Sequence, residues 1–168
     1  MDSAKSPQLD PETLLSVEDL HTYFQTDEGV VKAVNGVSFD IKRQKVLGVV
    51  GESGCGKSIT AMSIMQLLPK PHGKIHSGRI LFQSGERGVI DLAQQDPTGA
   101  LMREIRGNEI AMIFQEPMTS LNPVYTVGQQ IVEAILLHEN VTEKQAWSQA
   151  EEMLATVGIP SPEQRGRE

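Results

Sequence analysis

The chain has 168 residues, enough for one core with a substantial buried fraction, and its 39% hydrophobic content is that of an ordinary globular domain. A formal net charge of −7, with no cluster of Lys and Arg, excludes nucleic acid as the main partner, because a protein that tracks phosphates displays a basic stripe. No apolar run approaches the roughly 20 residues of a membrane span, residues 1–11 carry no signal-peptide stretch, and the single cysteine, Cys55, excludes an internal disulfide and fits a reducing compartment.

Residues 1–12, with Pro7 and Pro11 among polar neighbours, are expected to be a loose leader. A strand is predicted from Leu14 to Phe24 and one or two more from Val30 to Ile41, separated by the turn chemistry of Thr26, Asp27, Glu28 and Gly29. Residues 46–50 (Val-Leu-Gly-Val-Val) form a continuous apolar run bounded by charge before and glycine after, the pattern of a strand buried on both faces. Ile59, Met62, Ile64, Met65 and Leu68 then recur at helical spacing until Pro69 and Pro71 end the run. Residues 69–78 are expected to be loop, 78–82 a strand, and the stretch to about Gly99 a polar excursion. Residues 110–114 are a second candidate for a buried strand. Helices are predicted over 127–138 and 142–157, the latter with Thr142 as a cap and Gly158, Ile159 and Pro160 as a stop; residues 161–168 complete no element.

The chemistry sits first in Gly51, Glu52, Ser53, Gly54, Cys55, Gly56, Lys57 and Ser58, which match G-x-x-x-x-G-K-[ST]. Glycines allow the backbone to curl so that successive N–H groups point at phosphate oxygens, and the following helix aims its positive end at the same anion. Lys57 is placed to reach the β- and γ-phosphates, and the Ser58 hydroxyl to ligate Mg²⁺. A buried strand before the loop and a helix after it are the context this mechanism requires.

Two strings narrow the class. Val49-Val50-Gly51-Glu52-Ser53-Gly54-Cys55-Gly56-Lys57-Ser58, and above all Ile110-Ala111-Met112-Ile113-Phe114-Gln115-Glu116-Pro117-Met118-Thr119-Ser120-Leu121-Asn122-Pro123, resemble the ATP-binding subunits of ABC transporters, specifically the dipeptide, oligopeptide and nickel importer group. Residues 33–39 and 157–160 match the same family, so the resemblance covers nearly the whole chain from Leu14 onward. It implies an α/β P-loop fold with an N-terminal antiparallel β-subdomain and the beginning of a helical subdomain. The division implied is a β-subdomain and P-loop core to about residue 115, then a Q-loop and helical subdomain over about 115–168.

By the same resemblance Gln115 is the Q-loop glutamine, which touches Mg²⁺ or the attacking water and links the site to the membrane subunits. Phe24 falls near the family's adenine-stacking aromatic, with Tyr23 as the alternative, because a one-residue slip in a strand exchanges its faces. ATP and Mg²⁺ are the implied cofactors. The implied partners are two membrane-spanning permease subunits, a second ATP-binding subunit and an extracytoplasmic solute-binding protein, and the implied location is the cytoplasmic face of the inner membrane. The solute, whether peptide, nickel or another small molecule, is not written in these residues.

Other patterns compete less well. Glu116 after an apolar run imitates the strand ending in Asp-Glu that carries a general base, but only a Q-loop explains the segment from Pro117 to Pro123. Asp96-Pro97-Thr98-Gly99 fits the D-x-x-G of GTPases without a buried strand leading into it or an N-K-x-D string. A stand-alone P-loop kinase or GTPase is therefore the weaker alternative. His72 and His76 are four apart, but Gly73 and the flanking prolines argue against a helix that would aim both at zinc. Cys55 serves as a small loop side chain before it serves as a reactive thiol. The family's signature motif, its Asp-Glu strand and its switch histidine do not occur among the 168 residues. This chain on its own is accordingly expected to show no ATPase activity above background and to be marginally stable, either as part of a working ATPase or as a non-catalytic remnant.

Overall fold

The computed structural model describes residues 8–85, 87–115 and 121–168. They group into two compact units that divide between Arg103 and Glu104.

The first unit is built on an antiparallel sheet. Strand β1 (Thr13–Thr26) returns through a tight turn into β2 (Gly29–Lys42), so the one or two strands expected over 30–41 are one. β3 (Gly73–Ser84) pairs with the other edge of β1, and β4 (Gly88–Asp91) with β3, giving the order β2-β1-β3-β4. The apolar alternation of Leu15 and Val17 resumes one residue out of phase at Leu20 and Thr22. A bulge absorbs the shift: both ladders slip there, and Asp19 takes a left-handed φ of 45°. Leu15, Val17, Leu20, Val34, Ile80, Leu81 and Phe82 are buried as a result.

Helix α1 (Lys57–Ile64) packs on this sheet. A buried hydrogen bond of 2.8 Å between Thr22 Oγ1 and Ser63 Oγ ties it to β1. The helix ends earlier than its apolar spacing suggests, and Gln66 with φ 53° leaves the helical path. Its side-chain amide instead donates to the carbonyl of Leu92, in a 3-10 turn over Leu92–Gln94. The expected loop over 69–78 is loop only as far as His72. From Gly73 the chain already pairs with Phe24, and ladder pairing overrides the local proline and glycine signals. The polar excursion contains β4 and is followed by a short helix, α2 (Ala100–Ile105).

The second unit is an antiparallel helix pair. Helix α3 (Val127–His138) and α4 (Glu143–Thr156) bury Val132, Ile135, Ala146 and Ala150 against one another, with Ile131, Val141 and Trp147 at the rim. Each begins in a reciprocal capping box, Thr126 with Gln129 and Thr142 with Gln145. A further short helix, α5 (Pro162–Arg165), forms where no element was expected; a proline at its first position suits a helix start. No helix among the described residues is long and apolar enough to cross a membrane.

Two predicted strands do not form. Residues 46–50 and 110–114 join no sheet, apart from one isolated bridge of Ile110 to Arg106. Val46, Val50 and Ile113 are 99%, 93% and 95% exposed. An apolar β-branched run states what environment a segment is suited to; a strand exists only where a neighbour supplies the ladder, and among the described residues none does.

Candidate functional site

The loop of residues 51–58 leaves the segment 46–50 and runs directly into α1. Gly54 and Gly56 have φ of 80° and 98°, left-handed values that let consecutive N–H groups turn to one side. Gly56 is also the N-cap of α1, and no side chain caps it. The first-turn amides of a helix have no intrahelical acceptor, so the amides at this end stand open to an outside oxygen. A Cβ on Gly56 would stand 2.4 Å from the carbonyl oxygen of Ala33, so only glycine lets the loop seat on β2 this closely. That seat was not legible in the sequence, because Ala33 lies 23 positions upstream with no motif to mark it.

Lys57 folds back over the loop. Its Nζ donates to the carbonyls of Gly51 at 2.8 Å and Glu52 at 2.7 Å, and lies 3.5 Å from Cys55 Sγ. The ammonium is thereby held against the loop, and a charged donor of this kind makes the stronger hydrogen bonds that an anion can accept. Ser58, next along α1, is exposed. Glu52, Ser53 and Cys55 are exposed loop residues. A hydroxyl and an amide oxygen, as Ser58 and Gln115 offer, are the hard neutral donors that suit Mg²⁺.

Tyr23 and Phe24 separate on opposite faces of β1. Thr22 points at Ser63 on α1, and strand alternation puts Phe24 on that same face and Tyr23 on the other. Tyr23 is engaged there: its hydroxyl donates to Asn35 Oδ1 at 3.1 Å, its ring stacks on His76 at 4.6 Å, and Lys32 Nζ lies over it at 5.6 Å. Phe24 is half-buried, paired with Gly73 on β3, and two residues from Thr22, roughly 7 Å along the strand. The first unit therefore brings Phe24 and the loop to one face of the sheet. Gln115 belongs to the second unit, where it is exposed. Residues 122–125 are fastened to α3 by Gln130, whose amide spans the backbone of Asn122 and Tyr125.

The competing patterns have structural occupations. Asp96 Oδ1 accepts from the backbone N–H and the hydroxyl of Thr98, both at 2.8 Å, and these bonds hold its carboxyl below the usual range. That is a turn leading into α2. His72 Nδ1 bonds the carbonyl of Gln25, and His76 stacks on Tyr23, so the two histidines serve different contacts. Among the described residues no group of three or more His, Cys, Asp or Glu is placed to hold a metal. Glu116 lies outside the described residues.

Comparison with known proteins decides the family. The ABC transporter family profile matches residues 34–167. The chain belongs to the ABC transporter family. It is 50% identical over 152 residues to "Probable peptide ABC transporter ATP-binding protein y4tR" of Sinorhizobium fredii, covering 90% of this chain and 43% of that protein. It is 46% identical over 155 residues to "Glutathione import ATP-binding protein GsiA" of Escherichia coli, covering 92% of this chain and 25% of that one. The chain thus spans less than half the length of these curated relatives. Among solved structures it is similar to a dimeric post-hydrolysis state of the ATP-binding cassette MJ0796 bound to ADP and Pi, with a TM-score of 0.70 at 19% identity over 84% of this chain and 56% of that one. It is also similar to cbiO1 from Clostridium perfringens, part of the ABC transporter complex cbiONQ, with a TM-score of 0.59 at 25% identity over 93% of this chain and 59% of that one. The fold of this ABC transporter chain is therefore that of an ATP-binding cassette, as the resemblance led us to expect.

Proposed function

We propose that the chain binds ATP in the 51–58 loop, as part of an ATPase subunit that energises an ABC importer for peptides or related small solutes. The observation that carries this reading is the loop itself: left-handed glycines, an uncapped helix start and a Lys57 ammonium folded back onto the same eight residues. Lys57 and the backbone N–H groups hold the phosphates, and a lysine donor with a helix end is what a multiply charged anion requires. Phe24 carries the adenine, supported by its place on the face of the sheet that carries α1. By the family resemblance Ser58 and Gln115 are the residues that would each offer an oxygen to Mg²⁺, and the ion would neutralise charge on the transferring phosphoryl group. Gln115 orients the attacking water and passes the state of the site to the permease.

The resemblance and the relatives' names support the wider setting. In it the subunit works at the cytoplasmic face of the inner membrane with two permease subunits, a second ATP-binding subunit and an extracytoplasmic solute-binding protein. We divide the chain accordingly into a leader over 1–12, a β-subdomain and P-loop core to about 115, and a Q-loop with the start of a helical subdomain over 115–168. Hydrolysis belongs to the whole protein, with groups beyond those assigned here. Calorimetric titration of the full-length protein with MgATP tests the reading. Lys57→Ala should weaken binding by roughly 10- to 100-fold, the range of lost charged hydrogen bonds. Equal affinity in the variant and the parent would remove the loop from the site.

A further inference from the structure

We infer that Gly73 is a positioning residue for the base platform: its missing side chain sets where the Phe24 ring lies, and with it the surface offered to adenine. The inference rests on the reading of Phe24 given above. Phe24 and Gly73 stand directly opposite one another on β1 and β3. A Cβ built on Gly73 would lie 2.7 Å from Phe24 Cε1 and 3.2 Å from Cδ1. The edge of the ring therefore occupies the space that any other residue would fill with its first carbon.

Three contacts keep the backbone from giving way instead. Gln25 N–H donates to the carbonyl of His72 at 2.9 Å, His72 Nδ1 bonds the carbonyl of Gln25 at 3.1 Å, and Gly73 N–H donates to the carbonyl of Pro69 at 2.8 Å. Gly73 is not among the glycines of positive φ, so an alanine there meets no backbone penalty. The carbonyl oxygen of Pro69 would be 3.1 Å from the new carbon, a milder contact than the ring. With the strand pinned on both sides, a methyl at residue 73 must turn the ring off its resting rotamer. Tyr23 cannot take over, because it is held on the opposite face by Asn35 and His76.

The test titrates ATP and inorganic tripolyphosphate into the full-length protein and its Phe24→Ala, Gly73→Ala and doubly substituted variants. Tripolyphosphate reads the loop without the base. Phe24→Ala should weaken ATP roughly 5- to 100-fold, the range of a lost base–aromatic stack. Gly73→Ala should weaken ATP by a smaller factor, roughly 3- to 10-fold of the same stacking. Both should leave tripolyphosphate unchanged, and the double variant should match Phe24→Ala. If Phe24→Ala weakens ATP and Gly73→Ala does not, the inference fails and the platform stands. If neither does, the platform itself fails. Additive losses would show that Gly73 acts by another route and overturn the inference. Should Gly73→Ala lose tripolyphosphate binding as well, Phe24→Leu in the same background decides. Leucine lacks the ring edge that the methyl meets, so regained binding supports the inference and continued loss overturns it.

Discussion

The sheet and the two unpaired apolar segments are written in similar residues and meet opposite fates. Leu20 and Ile80 of the sheet are fully buried, whereas Val46, Val50 and Ile113 stand in solvent. The difference is pairing. β1 has a partner on both edges, so its backbone groups are satisfied and its apolar face is covered. Residues 46–50 carry an equally apolar string with no strand beside it among the described residues. Burial is thus a property of the neighbours a segment finds, and hydrophobicity only states the demand.

The comparison breaks most easily at its buried end. Leu20→Ala should cost about 2–5 kcal/mol of unfolding free energy, the range for emptying a packed leucine site. In the same 168-residue chain Val50→Ala should change stability by no more than about 0.5 kcal/mol, as at an exposed position. Urea denaturation of both variants measures this, and equal losses would mean that residues 46–50 are packed after all. The comparison sharpens at a smaller scale in the second unit. Thr142→Ala removes one arm of the α4 capping box and should cost about 1 kcal/mol. Amides of Glu143–Thr156 should then exchange faster while those of β1 and β3 keep their rates. A loss spread over both units would show that they do not open separately.

Periodicity located α3 to the residue and α4 to within its caps, because a helix takes its hydrogen bonds from its own chain and needs only a cap and one covered face. It misplaced 46–50 and 110–114 because a strand takes its bonds from elsewhere, and no residue in the run says whether that elsewhere is supplied. β3 began earlier than expected for the same reason in reverse: Phe24, distant in sequence, supplies the partner that Gly73 lacks locally. The bulge at Glu18 and Asp19 left Tyr23 and Phe24 undecided, since it shifts the strand's phase without a residue pattern that announces it.

The site was legible where backbone geometry dictates residue type. Gly54, Gly56 and Lys57 are the residue types that the proposed phosphate-holding curl calls for, and the left-handed glycines and folded-back lysine are present. Gln115 could be named only by resemblance, because a glutamine after an apolar run has no geometric necessity. The seat of Gly56 on Ala33 and the bond of Thr22 to Ser63 were invisible, since both join residues far apart in the chain.

The central claim is that nucleotide sits on the 51–58 loop, and amide exchange of the full-length protein with and without MgATP tests it most directly. The account predicts slowed exchange across residues 51–59, where open amides acquire phosphate acceptors, with β1 and β3 unchanged. Unaltered exchange in that loop at saturating MgATP would contradict it.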